Sequence, residues 1–76
     1  MQVTLLAFAQ AAEQVGFRER IVDCSGDDSP RRILASCGLN LDCSLVRVAV
    51  DGEYRDWDAA IGEAREIAII PPVSGG

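Results

Sequence analysis

Glu66-Ile67-Ala68-Ile69-Ile70-Pro71-Pro72 decides the fold, and the rest of the chain is read outward from it. Over residues 66–70 the side chains alternate: Ile67 and Ile69 point one way, Ala68 and Ile70 the other. Pro71 has no N–H to give to a ladder, so the strand ends there. A matching apolar run, Val3-Thr4-Leu5-Leu6-Ala7-Phe8, lies near the other end of the chain and reads as a first strand. Two such apolar strands belong side by side in the middle of a sheet. Parallel pairing suits them, because everything between them serves as the crossover.

The intervening residues supply that crossover. Ala9 to Val15 is made mostly of good helix formers and Gly16 closes it, a helix of about two turns. Phe17 to Val22 alternates loosely and is expected to pair with the first strand. After the turn-rich Cys24-Ser25-Gly26-Asp27-Asp28, Ser29-Pro30 opens a helix in the right order, Ser as N-cap and Pro at N1. Ile33, Leu34 and Cys37 give it one apolar face, and Gly38 stops it. Leu45 to Val50 puts Val46, Val48 and Val50 on one side and Arg47 and Ala49 on the other. Asp51-Gly52 is a two-residue hairpin signal, and Glu53-Tyr54-Arg55 returns as a short strand. A single helical turn is expected near Ala59-Ala60-Ile61, broken by Gly62, and Trp57 reads as a core or edge anchor. The sum is an α+β fold with a mixed sheet of four to five strands covered by a helix, the β-grasp or ubiquitin-like architecture.

Composition narrows function. Seventy-six residues allow one domain with a thin core and no large internal pocket. The division expected is a body over 1–70 and an extended tail over 71–76. The net charge of −5 argues against nucleic acid and fits docking onto basic protein surfaces. There is no histidine, which removes His-dependent triads, histidine acid–base chemistry and most transition-metal sites. Asp51, Glu53, Asp56 and Asp58 lack the spacing of a calcium loop and read as a solvated hairpin, so no metal site is expected. All seven basic residues are arginine. Cys24, Cys37 and Cys43 have no C-x-x-C spacing and read as reduced thiols packed in or near the core. No apolar run approaches the ~20 residues of a membrane span, and no basic n-region leads the chain. A cytoplasmic protein without membrane contact is expected.

The tail carries the remaining chemistry. Pro71 and Pro72 favour an extended strut, followed by Val73 and Ser74. Gly75 and Gly76 lack Cβ atoms and can thread a channel too narrow for other residues. The terminal carboxylate is the one strong reactive group there. A frayed, inert end is the other reading of the same residues.

Three blocks of residues resemble one family. They are Leu6-Ala7-Phe8-Ala9-Gln10 with Glu13 and Val15-Gly16; Val48-Ala49-Val50 with Tyr54 and Asp56-Trp57-Asp58; and Glu66 through Gly76. The chain is similar in these to the small subunits of molybdopterin synthase, within the sulfur-carrier group of ubiquitin-like proteins. Asp23 to Asp42 matches only as helix and loop. The resemblance implies that Gly76 is adenylated with ATP by a separate ubiquitin-activating-like adenylyltransferase, then converted to a thiocarboxylate by a sulfur donor such as a cysteine desulfurase or rhodanese. It implies insertion of the tail into the synthase large subunit, within a heterotetramer, where sulfur passes to a cyclic pterin precursor. Gly76 would bear the sulfur and Gly75 the slim approach to it. The partner-binding residues implied are Phe8, Tyr54, Ile70, Pro71, Pro72, Val73 and Ser74. No stably bound cofactor is implied, and catalysis would sit on the partners. Sulfur carriage for thiamine or thio-tRNA, or attachment to target lysines as a protein modifier, are the alternatives; paired prolines argue against the thiamine version.

Overall fold

The computed structural model describes residues 1–39 and 41–72. Five strands and two helices follow one another as β1 (Gln2–Ala7), α1 (Ala9–Val15), β2 (Glu19–Asp23), α2 (Pro30–Ser36), β3 (Arg47–Val50), β4 (Glu53–Arg55) and β5 (Glu66–Ile70). The strands form one mixed sheet in the order β2-β1-β5-β3-β4. β1 and β5 lie adjacent and parallel, with Leu5 opposite Ile67 and Ala7 opposite Ile69. All other pairings are antiparallel. This is the β-grasp arrangement expected from the two apolar strands.

The core fills the side of the sheet that the helices cover. Val3, Leu5 and Ala7 of β1, Val48 and Val50 of β3, and Ile67 and Ile69 of β5 form one cluster with Ala11 of α1 and Ile33 and Leu34 of α2. Leu5, Ile67 and Ile69 are fully buried. At roughly 2 kcal/mol for each fully buried aliphatic side chain, this cluster supplies the main driving force for a chain of this size. Cys24, Cys37 and Cys43 are free, half-buried and packed against the cluster.

Local signals act as expected at both helices. Ser29 Oγ accepts from the Arg32 N–H at 3.2 Å, Pro30 takes the first helical position, and Gly16 caps α1. Four elements differ from the sequence reading. β1 runs Gln2–Ala7 rather than Val3 to Phe8, because Phe8 becomes the N-cap of α1. β2 begins at Glu19 rather than Phe17, because Phe17 turns to pack against the core. β3 begins at Arg47, with Leu45 left exposed and Val46 buried. Ala59-Ala60-Ile61 forms no helical turn. There the Ile61 N–H donates to Asp28 O and the Gly62 N–H to Gly26 O, which ties the segment to the loop before α2. A Cβ on Gly26 would stand 2.7 Å from Gly62 O, so the contact needs glycine.

Asp51 joins the hairpin to the centre of the sheet. With φ of 50° at Asp51 and 84° at Gly52, the β3–β4 connection is a type I′ turn. Its carboxylate Oδ1 accepts from the backbone N–H groups of Arg65 at 2.9 Å and Glu66 at 3.0 Å. These are the donors that lead into β5. Asp51→Asn keeps the acceptor and tolerates positive φ, so its unfolding free energy from urea titration should stay within about 0.5 kcal/mol of the native protein. Asp51→Ala loses the acceptor and places an ordinary residue in the left-handed region, a loss of about 1–2 kcal/mol at unchanged m-value. Equal midpoints for the two variants would show that the clamp contributes nothing.

Candidate functional site: the open sheet face and the root of the tail

Alternation along the strands places a second set of residues on the side away from the core. The register connects them in a row: Leu6 opposite Ala68, Ala68 opposite Ala49, Ala49 opposite Tyr54. Ala68 and Ala49 are 8% and 6% exposed although neither belongs to the core cluster. Their methyls lie low between larger neighbours. Tyr54 at the end of the row is 63% exposed. The result is a shallow apolar strip crossing three central strands and ending on an aromatic ring.

One end of this face leads to the tail. Ile70, the last residue of β5, pairs with Arg47. Arg47, Tyr54, Ile70, Pro71 and Pro72 line one cleft, and the Arg47 guanidinium stands 5.5 Å from the centre of the Tyr54 ring. This cation–π contact holds the ring over the sheet edge. Phe8, half exposed, comes one residue after β1 and so lies at the level of Ile70, one past the Ala7–Ile69 pair. It keeps an extended backbone (φ −117°, ψ 147°), and Ala9 then turns the chain sharply with φ of 48°. That turn sends the chain into α1 and leaves the Phe8 ring outside the core.

Ile70, Tyr54, Pro71 and Pro72 are therefore brought together, with Phe8 at the same end of the face. Val73, Ser74, Gly75 and Gly76 lie outside the described residues. Residues that the sequence reading missed as site members are Leu6, Ala49, Ala68 and Arg47. Leu6 carried a signal, an apolar residue at an outward position of β1. The two alanines carried none, because only the cross-strand register puts them side by side. On the other side of the tail root, Pro71 and Pro72 border a cleft with Gln10, Gln14 and the exposed Leu45.

Several of the titratable groups are employed structurally. Burial pushes the thiols of Cys24 and Cys43 above the usual range, with Arg31 partly opposing this at Cys43. Both are held as neutral thiols at neutral pH, which is the wrong direction for a nucleophile. Arg31 Nε donates to Asp58 at 2.7 Å, and that hydrogen bond raises its pKa further. Asp42 is held low by hydrogen bonds from Ser44. Of the four acids near the hairpin, Asp51 is bound to backbone and Asp58 to Arg31. Among the described residues no group of three or more His, Cys, Asp or Glu side chains converges.

Known proteins with the same pattern can now be set beside this geometry. The molybdopterin synthase sulfur carrier subunit of Dictyostelium discoideum is 38% identical over 85 aligned residues, covering 99% of this chain and 96% of that protein. The protein of the same description from Phaeosphaeria nodorum is 40% identical over 45 residues, 59% of this chain and 46% of its own. Among solved structures, SAMP1 from Haloferax volcanii superposes with a TM-score of 0.76 at 27% identity, with both chains covered completely. The small archaeal modifier protein 1 (SAMP1) of Methanosarcina acetivorans has the same fold, with a TM-score of 0.71 at 20% identity, covering 99% of this chain and 96% of that one. The model of the ThiS family matches residues 5–76, taking in the apolar strip, the tail root and both glycines, and the chain belongs to the ThiS family.

Proposed function

We propose that this protein is the sulfur-carrying small subunit of a molybdopterin synthase. The observation that carries the reading is the 38% identity to the Dictyostelium sulfur carrier subunit across 99% of the chain. In this reading residues 1–70 are the body and residues 71–76 the working tail. A carboxylate resists attack because its charge is shared over two oxygens and it has no good leaving group. Transfer of AMP from ATP to the Gly76 carboxylate, with release of pyrophosphate, supplies one. A persulfide on the donor protein attacks the acyl carbon and displaces AMP, giving an acyl disulfide. A second thiol of the donor then attacks the donor-side sulfur, so that a donor disulfide forms and Gly76 is released as a terminal thiocarboxylate. In the large subunit this sulfur bonds to a carbon of the pterin precursor as an oxygen leaving group departs. Hydrolysis of the resulting thioester leaves the sulfur on the pterin and returns Gly76 as a carboxylate.

The catalytic groups belong to the partners: an adenylyltransferase, the sulfur donor and the synthase large subunit, all cytoplasmic. Pro71 and Pro72 keep the tail extended as it leaves β5, and Gly75 lets it pass a narrow channel. Phe8, Tyr54 and Ile70 dock against the large subunit, with Pro71, Pro72, Val73 and Ser74 following the tail into its site. The apolar strip and the net charge of −5 suit a partner surface that is apolar at its centre and basic at its rim.

A second reading shares the activation step. The 27% identity to SAMP1 over the whole chain supports a modifier, in which a lysine amine of a target protein displaces AMP and forms an isopeptide bond. Intact-mass measurement of the chain purified from cells with sulfuration enzymes separates the two. A gain equal to one sulfur replacing one oxygen, mapped to Gly76, is expected. Adducts of Gly76 with target lysines and no thio form would overturn the first reading.

Deleting Gly76 should abolish sulfur transfer and leave the melting temperature unchanged, because the core cluster is built from residues between Val3 and Ile69. Residual transfer by the truncated chain would place the sulfur elsewhere. Phe8→Arg and Ile70→Arg each put a charge on the docking face and should weaken large-subunit capture by about tenfold or more. Capture at native strength by both folded variants would remove these residues from the interface.

A further inference from the structure

We propose that the free edge of β4 pairs with β4 of a second copy of this chain, giving a weak antiparallel dimer whose two five-stranded sheets run into one. β4 ends the strand order, and Glu53, Tyr54 and Arg55 are all exposed. In a two-residue type I′ hairpin the residues flanking the turn, here Val50 and Glu53, exchange both hydrogen bonds. The next pair, Ala49 and Tyr54, is then a non-hydrogen-bonded one. The N–H and C=O of Tyr54 therefore point away from β3, into open space beyond the edge.

A two-fold axis through that point satisfies both groups. The Tyr54 N–H donates to the Tyr54 carbonyl of the second copy and receives the reciprocal bond. The flanking positions then fall Glu53 opposite Arg55, and Arg55 opposite Glu53, in the closely spaced non-hydrogen-bonded register. Opposite charges meet twice. Among the described residues neither Glu53 nor Arg55 has an ion-pair partner within its own chain. The two Tyr54 rings meet on the open face and join the Leu6–Ala68–Ala49–Tyr54 rows of the two copies into one strip. A strand whose sequence reads acid–aromatic–base is complementary to itself only in this antiparallel sense, which is why a second copy fits the edge. Edge strands are commonly blunted by charge against such pairing; here the charges are placed to allow it. Three residues bury little area, so the dimer belongs among weak, concentration-dependent associations. It covers Tyr54, and so competes with any partner that uses that ring. The inference stands whether or not the chain carries sulfur.

Sedimentation equilibrium of the full chain from micromolar to millimolar concentration tests it, at about 0.15 M salt, where a Debye length of about 8 Å screens the net charges. The native chain should pass from monomer to dimer. Glu53→Arg makes β4 wholly basic and Arg55→Glu makes it wholly acidic, so each alone should weaken dimerisation about tenfold or more. An equimolar mixture of the two variants should form a heterodimer at least as tight as the native dimer. Circular dichroism confirms that both remain folded, as exposed substitutions should. A native chain that stays monomeric, a dimer indifferent to both reversals, or a mixture that does not associate would each overturn the proposal. Indifference to the reversals combined with loss in Leu6→Arg would place the contact on the open face instead.

Discussion

The parallel pairing of β1 with β5 is the contact on which the rest of this structure depends. It joins strands from opposite ends of the sequence, so its closure is long-range and draws on little local preference. What stabilises it is burial: Val3, Leu5, Ala7, Ile67 and Ile69 are 3% exposed or less. Every other element hangs from this pair. β2 pairs with the outer side of β1, β3 with the outer side of β5, and α1 and α2 close over the inner face. The Asp51 carboxylate ties the β3–β4 turn to the entrance of β5, so the hairpin and the central strand are positioned together.

That pairing also sets where Pro71 and Pro72 leave the sheet. Because β1 and β5 run in the same direction, the end of β1 and the end of β5 reach one edge of the molecule. Phe8 and Ile70 therefore stand at one level, and Pro71-Pro72 leave beside them. A parallel central pair thus turns two residues distant in sequence into neighbours at the root of the tail. The open face next to them is lined by the small side chains of Ala49 and Ala68 and bordered by Leu6, Tyr54 and Ile70. A surface this shallow matches the flat apolar centre of a protein interface.

The chemistry is consistent with a body that presents rather than reacts. Two thiols are pushed toward the neutral form by burial, Asp51 and Asp56 accept from backbone N–H groups and Asp58 from Arg31, and histidine is absent. In the proposed function the reactive step falls to the tail and to the partner enzymes.

Sequence alone determined the elements and the central pair. Strand alternation in Ile67 to Ile70, the Ser29-Pro30 helix start, the Gly16 stop and the Asp51-Gly52 turn are local rules, and each acts through the backbone of its own few residues. Phe8, Tyr54 and Ile70 are singled out by the resemblance to a known family and not by any such local rule. Tertiary structure decided what depends on register. It placed Ala49 beside Ala68 and set Arg47 over Tyr54. It turned Phe17 inward so that β2 starts later, and it held Ala59-Ala60-Ile61 irregular by hydrogen bonds to Gly26 and Asp28. No residue in those contacts signals its partner along the chain. The partner is chosen by strand order and by which side chains share a face, and those exist only once β1 and β5 have met.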